Sequence, residues 1–218
     1  MTAALPDEFL LDVAAGCAPE PLAVLIDSHL ALNPESRIKL RQLEAIGGAL
    51  LADVTPVAVG PDALERALAR LGPQEQPANQ PRGAAPSGAD PLPAALRRYV
   101  PNGLVALPWR KRGWGLAEAP LACASPGPYE MSLLRMRPGG RIPRHGHRGP
   151  ELILVLAGGF SDQHGHYGVG DVCYADETAD HRPIADGEGE CLCLAVTRGP
   201  VRFKGLLGLL LAPFMRPS

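Results

Sequence analysis

Apolar positions follow one period in the first third of this chain and another in its second half. Between residues 7 and 71 they recur at helical spacing. Residues 7–15 predict a short first helix, with Asp7 as its N-cap and Gly16 as its stop. Residues 21–32 continue with Leu22, Leu25, Ile26, His29 and Leu30 at helical spacing. Pro34 suits the first turn of a third helix, with Asn33 as its cap. Ile38, Leu40, Leu43, Ile46, Leu50 and Leu51 form its apolar stripe. Pro61 opens a fourth, weaker helix that runs to Leu71. The expectation is a bundle of three or four short helices held together by these stripes.

Residues 73–93 break both periods, with six prolines in 21 positions and almost no apolar bulk. Such a stretch cannot bury enough surface to order itself, and as a coil it would separate its ends by roughly 25 Å. It is expected to be a flexible interdomain linker. From Leu104 onward short apolar runs alternate with Gly/Pro turns, which predicts strands at 129–136, 151–156, 159–163, 171–175 and 191–196. Strands with no helix between them indicate an antiparallel sandwich or barrel. The expected fold is therefore α+β and multidomain: a helical bundle over 1–72, the linker, and an all-β jelly roll over 94–218.

Composition narrows the function. The 218 residues carry a formal net charge of −2, which argues against a nucleic-acid binder. Residues 1–72 hold ten acidic and five basic side chains, and the remainder thirteen acidic and sixteen basic. An acidic first third suits a partner with a basic surface, although an ordinary solvated helix face has the same composition. No secretory signal is visible in the first 30 residues, and the apolar run from Leu206 to Phe214 is too short to span a bilayer. Five cysteines without a Cys-x-x-Cys pair fit free thiols in a reducing cytosol. A cytoplasmic protein with no membrane and no direct nucleic-acid partner is expected.

Residues 139–158 concentrate the chemistry. His145 and His147 stand two apart, so on a strand both imidazoles face one side. Glu151 follows after the turn Arg148-Gly149-Pro150, and His181 comes 30 residues later. Three imidazoles and one carboxylate suit a divalent transition ion, whether zinc, iron(II), manganese or nickel, with a coordination position left over. His164 and His166 fall on a hairpin at 163–168, expected at the far end from the ligand turn and exposed. Cys191 and Cys193 share one face of a strand as small buried residues, and are the candidate redox pair.

These spacings resemble the first cupin motif: Gly139, five residues, His145, one, His147, three, Glu151, six, Gly158. Gly170, ten residues and His181 match the second motif. There Asp176 and Thr178 replace the usual proline and glycine, and Ala185 the usual terminal asparagine. The chain as a whole resembles the ChrR-type anti-sigma factors, through Ser28-His29-Leu30 with residues 45–50, through 145–156 and through 190–195. The resemblance implies a helical domain that holds an extracytoplasmic-function sigma factor inactive. It also implies a cupin domain needed for release under singlet oxygen or a related oxidant, and a homodimer through the cupin domain is expected. The family's N-terminal zinc motif is a histidine, three residues, a cysteine, two residues and a cysteine. Here His29 is kept, while Asn33 and Ser36 stand at the cysteine positions, and one histidine, an amide and a hydroxyl will not hold zinc. A zinc-free helical domain is expected, with Asn33 and Ser36 as capping residues and one metal in the whole chain, zinc first. The alternative is a cupin metalloenzyme, dioxygenase-like, acting on a small molecule; a module acting only by binding a metal or ligand is a third.

Overall fold

The computed structural model describes residues 5–71, 92–125, 127–199 and 201–203. The expected linker lies outside these residues apart from Leu92 and Pro93, and the run from Leu206 to Phe214 lies outside them altogether. Five helices come first: α1 (Asp7–Ala14), α2 (Glu20–Leu32), α3 (Pro34–Ala52), α4 (Ala63–Ala69) and α5 (Ala94–Arg97). Twelve strands follow. They are β1 (Arg110–Gly113), β2 (Leu116–Leu121), β3 (Glu130–Met136), β4 (His145–His147), β5 (Glu151–Ala157) and β6 (Phe160–Asp162). The rest are β7 (Gly165–Tyr167), β8 (Val172–Ala175), β9 (Asp180–His181), β10 (Ile184–Ala185), β11 (Cys191–Thr197) and β12 (Val201–Phe203).

The strands form a six-stranded sheet in the order β1-β2-β3-β11-β5-β8 and two three-stranded sheets, β10-β6-β7 and β12-β4-β9. The three sheets do not close into one continuous barrel, but the strand set is that of a cupin. The large sheet is buried on both faces, which is why β5 and β11 read as unbroken apolar runs. One face presents Ile153, Val155, Cys173, Cys191, Cys193 and Ala195 to an inner core with Phe160 and Tyr167 from the small β6–β7 sheet. The other face presents Leu152, Leu154, Leu156, Leu192, Leu194 and Val196 to the helices.

That second contact departs from the expected self-contained bundle. Leu10, Leu22, Leu25 and Ile26 are all at most 1% exposed and share one core with the sheet. Burying each such side chain is worth about 1.5–3 kcal/mol, so the core shared with the sheet helps to hold α1 and α2 in place. Phe9 adds an edge-to-face contact with Tyr174, ring centroids 5.4 Å apart. Leu92, Leu96 and Val100 enter the same core. Glu20 ties the layers at the rim by accepting from the Tyr99 hydroxyl at 2.5 Å and from the Ser125 N–H at 2.7 Å.

The stripe of α3 does not hold a bundle together. Leu40 and Leu43 pack against the core, but Ile38, Ile46, Leu50 and Leu51 are 58–72% exposed. Leu64, Leu68 and Leu71 around α4 are also exposed. The helical period was there, and the partner for that face is not among the described residues. Two cap details also differ. Asn33 caps α3 as expected, its Oδ1 accepting from the Ser36 N–H at 3.0 Å. Asp7 does not cap α1, because Pro6 occupies that position and Asp7 pairs instead with Lys39 at 2.9 Å. No helix among the described residues is long and apolar enough to cross a membrane.

Candidate metal centre

His145 opens β4 two residues after Pro143, and β4 runs antiparallel to β9 with His145 opposite His181. Glu151 is the first residue of β5, where the side-chain alternation that sends Leu152 toward the helices sends Glu151 to the inner face. One ligand atom from each of His145, Glu151 and His181 fits a group in which all lie within 4.8 Å of one another. The three are 4%, 5% and 0% exposed. His145 Nε2 is 3.0 Å from His181 Nε2, and His181 Nε2 is 3.3 Å from Glu151 Oε2. His147 ends β4, with Val201 of β12 opposite it in the register; its side chain lies outside what the structure describes.

The outward ring nitrogens set the chemistry of this cluster. His145 Nδ1 is 2.9 Å from the Pro143 carbonyl, which can only accept, so Nδ1 carries the proton there. His181 Nδ1 is 3.3 Å from Asp162 Oδ2, both side chains fully buried. The two Nε2 atoms converge 3.0 Å apart beside the Glu151 carboxylate, and when both rings are neutral with Nδ1–H outward both can act as metal ligands. Two metal–nitrogen bonds of about 2.1 Å meeting at one ion span about 3.0 Å at a right angle and about 3.4 Å at the tetrahedral angle, so the convergence is close to that of two ligands on one ion. The donor set therefore fits a divalent metal. Burial alone would lower the His181 pKa, but the Glu151 hydrogen bond and charge, with Asp162, raise it overall. Protons thus compete for the place a metal would take.

Asp162 was not foreseen as part of this site. It sits on β6 two residues after the buried Phe160, a polar residue at an inward position of a strand. That alternation is the signal that would have found it. The hairpin turn after it is also closer to the ligands than expected. The Gln163 amide donates to the Asp180 carbonyl and accepts from the Arg182 N–H at 3.3 Å, on either side of His181. His164 and His166 are exposed as expected, and His166 pairs with Asp186 at 3.0 Å.

The remaining candidates divide clearly. Cys191 and Cys193 are each 1% exposed, with sulfurs 3.5 Å apart, on the inner face beyond the ligands. The Cys191 contact and burial push the Cys193 thiol well up, and burial pushes Cys173 up to about 12. Cys173 and Cys193 therefore have little thiolate character at neutral pH. At the helical corner His29 is 2% exposed, with Nδ1 2.8 Å from the Gly170 carbonyl and Nε2 2.8 Å from the Ser36 hydroxyl. Nδ1–H donates to the carbonyl and Nε2 accepts from Ser36, so a neutral imidazole is fully satisfied. Burial lowers its pKa, against smaller opposing effects of the Gly170 bond and the Asp171 charge.

A helical segment packed on a β-sheet with a His/Glu/His cluster inside defines a helical segment joined to a cupin-like domain. The ChrR cupin-like domain model matches residues 103–202. The anti-sigma-E factor ChrR of Cereibacter sphaeroides is 38% identical over 212 residues, 96% of this chain and 96% of that protein. The crystal structure of Rhodobacter sphaeroides SigE in complex with the anti-sigma ChrR superposes with a TM-score of 0.73 at 34% identity, covering 90% of this chain and 98% of that one. The chain belongs to the ChrR family of anti-sigma factors.

Proposed function

We propose that this protein is an anti-sigma factor that sequesters an extracytoplasmic-function sigma factor in the cytoplasm and releases it under oxidative stress of the singlet-oxygen type. The carrying observation is the apolar face left open on α3 and around α4. Ile38, Ile46, Leu50, Leu51, Leu64 and Leu68 are all more than half exposed. Exposed apolar residues in such number mark a protein-binding surface, and the acidic balance of residues 1–72 complements a basic sigma surface. The relative solved in complex with SigE supports the assignment. It favours a regulator over a dioxygenase-like cupin enzyme, which no observation on this chain supports.

In this reading residues 1–72 form the sigma-binding domain, 73–93 the connection and 94–218 the sensing cupin. His145, His147, Glu151 and His181 hold one divalent ion, for which zinc suits the nitrogen and oxygen donors best. Bound there, the ion supplies the positive charge that keeps two imidazoles and a carboxylate packed together. Glu151 ties that centre to the helices, because the next residue of its strand, Leu152, lies in the core that carries α1 and α2. A disturbance at Glu151 thus acts on the strand that positions the sigma-binding helices, and release requires that the sigma factor prefer one of the two arrangements.

The test is co-purification with a sigma factor of the extracytoplasmic-function class. The L50D/L51D variant should lose binding by at least about 100-fold, since two apolar anchors become charged, with Tm unchanged because both positions are exposed. Equal binding by that variant would place the interface elsewhere, and failure of the wild-type chain to bind would sink the assignment. The elution volume of the free chain reports whether it dimerises through the cupin domain.

A further inference from the structure

The tip of the β1–β2 hairpin is strained in a way that neither metal binding nor sigma binding uses. Gly113, Trp114 and Gly115 all have positive φ, of 87°, 46° and 87°. Left-handed backbone is free to glycine but strained for a bulky residue such as Trp. The conformation holds the Trp114 indole 44% exposed at the edge of an open cavity of about 360 Å³. Backbone bonds fix the tip: the Arg137 N–H donates to the Gly115 carbonyl at 3.0 Å and the Arg141 N–H to the Trp114 carbonyl at 3.1 Å.

Three cations line this cavity: Lys111, Arg135 and Arg137. Strand register puts Lys111 and Arg135 on one face, both opposite Ala117 of the intervening β2. The Arg135 guanidinium is held 4.3 Å over the Trp109 ring, which orders it without neutralising it. Arg137 follows two residues later, with Nε 3.7 Å from where a Cβ on Gly115 would stand. None of the three is in an ion pair with a described residue, whereas Arg112, on the opposite face, is paired with Glu118 at 2.7 Å. The cavity wall offers a single carboxylate, Glu190. The site lies at the Met136–Cys191 end of the sheet on its outer face, while Glu151 is at the other end, opposite Thr197, on the inner face.

We infer that this cavity is a binding site for a small organic anion, one that presents a phosphate or carboxylate to Lys111, Arg135 and Arg137 and a flat apolar body to Trp114. The volume suits a small molecule and not a peptide or protein surface. Fork-shaped guanidinium groups in a dented, partly apolar wall match either oxyanion.

Of the chain's two tryptophans, Trp114 lines the cavity and Trp109 lies under the Arg135 guanidinium, so intrinsic fluorescence reads the site. The full metal-loaded chain is titrated at low ionic strength with phenyl phosphate and, separately, with phenylacetate. A saturable change with Kd below about 1 mM for either probe is expected, and the tighter probe identifies the preferred oxyanion. The R135Q/R137Q variant should weaken binding at least about tenfold, while R112Q should leave it unchanged. W114G, whose glycine accepts the left-handed backbone, is followed by calorimetry. It should weaken phenyl phosphate while leaving inorganic phosphate as in the wild type, and it serves if R135Q/R137Q fails to fold. A linear, non-saturating response to both probes up to about 10 mM overturns the site. So does equal weakening by R112Q and R135Q/R137Q, or a W114G variant that binds phenyl phosphate as the wild type does.

Discussion

Two buried histidine sites sit on opposite faces of the large sheet, and the second ring nitrogens tell them apart. At the helical corner His29 spends one nitrogen on the Gly170 carbonyl and the other on the Ser36 hydroxyl. Nothing is left over, and the imidazole is complete as a neutral group. In the cupin interior His145 and His181 spend their Nδ1 atoms on Pro143 and Asp162, and their Nε2 atoms converge beside Glu151. Burial alone would not have separated the two sites, since His29, His145 and His181 are all buried. Following each ring to its far nitrogen does: the first is a hydrogen-bonded joint, the second a site that a cation completes.

Metal content breaks or sustains this comparison with the largest effect. One equivalent per chain is expected by elemental analysis, lost in H181A and retained in H29A. Removing it with a chelator should lower stability by about 4 kcal/mol if the ion is present at a thousand times its Kd, read as a fall in Tm. Two equivalents in the wild type, one of them lost in H29A, would return the helical corner to the zinc sites of its family.

The same H29A substitution should still destabilise strongly, because it removes two hydrogen bonds and leaves the Gly170 carbonyl with no imidazole to accept from. A loss of about 2–4 kcal/mol in urea unfolding is expected, at unchanged metal content. A loss below about 0.5 kcal/mol would mean that the corner holds nothing. Asp162 sharpens the other side. D162N keeps the shape but removes the carboxylate that fixes the His181 tautomer, so metal affinity should fall about 10–100-fold. A competition titration against a chromophoric chelator measures it, and an unchanged affinity would make the 3.3 Å contact incidental.

Most of the architecture was legible because it rests on short-range patterns. The Gly/Pro-punctuated runs placed β3, β5, β6, β8 and β11 to within a residue or two, and Asn33-Pro34 marked the start of α3 through cap chemistry alone. The ligand spacing made His145, Glu151 and His181 candidates, and the structure brings those three together. What escaped was everything set by long-range packing. Nothing local tells Leu25 that it will meet a sheet more than a hundred residues away, while Leu50, with the same helical period, stays exposed. Asp162 escaped for a related reason: it acts through His181, 19 positions away. The β1–β2 hairpin lacked any alternating apolar signal because its edge strand is Arg-Lys-Arg-Gly.

The smallest effect concerns pH, and its sign follows from the lowered pKa of folded His29. In the unfolded chain this residue titrates near 6.5. The neutral ring is therefore fully stabilising above that value, and its contribution is lost as the pH falls from about 6.5 toward the lower folded value. The metal ligands also take up protons in acid, so the measurement is a difference between wild type and H29Q at equal metal loading. Wild type should lose stability relative to H29Q on going from pH 7 to pH 5, with a slope no steeper than about 1.4 kcal/mol per pH unit, the limit for one proton. A flat difference would show that His29 is as comfortable charged as neutral. That would favour an Nε2–H donating to Ser36, and the corner would then be a poor contrast to the metal centre, whose converging nitrogens must stay unprotonated to bind.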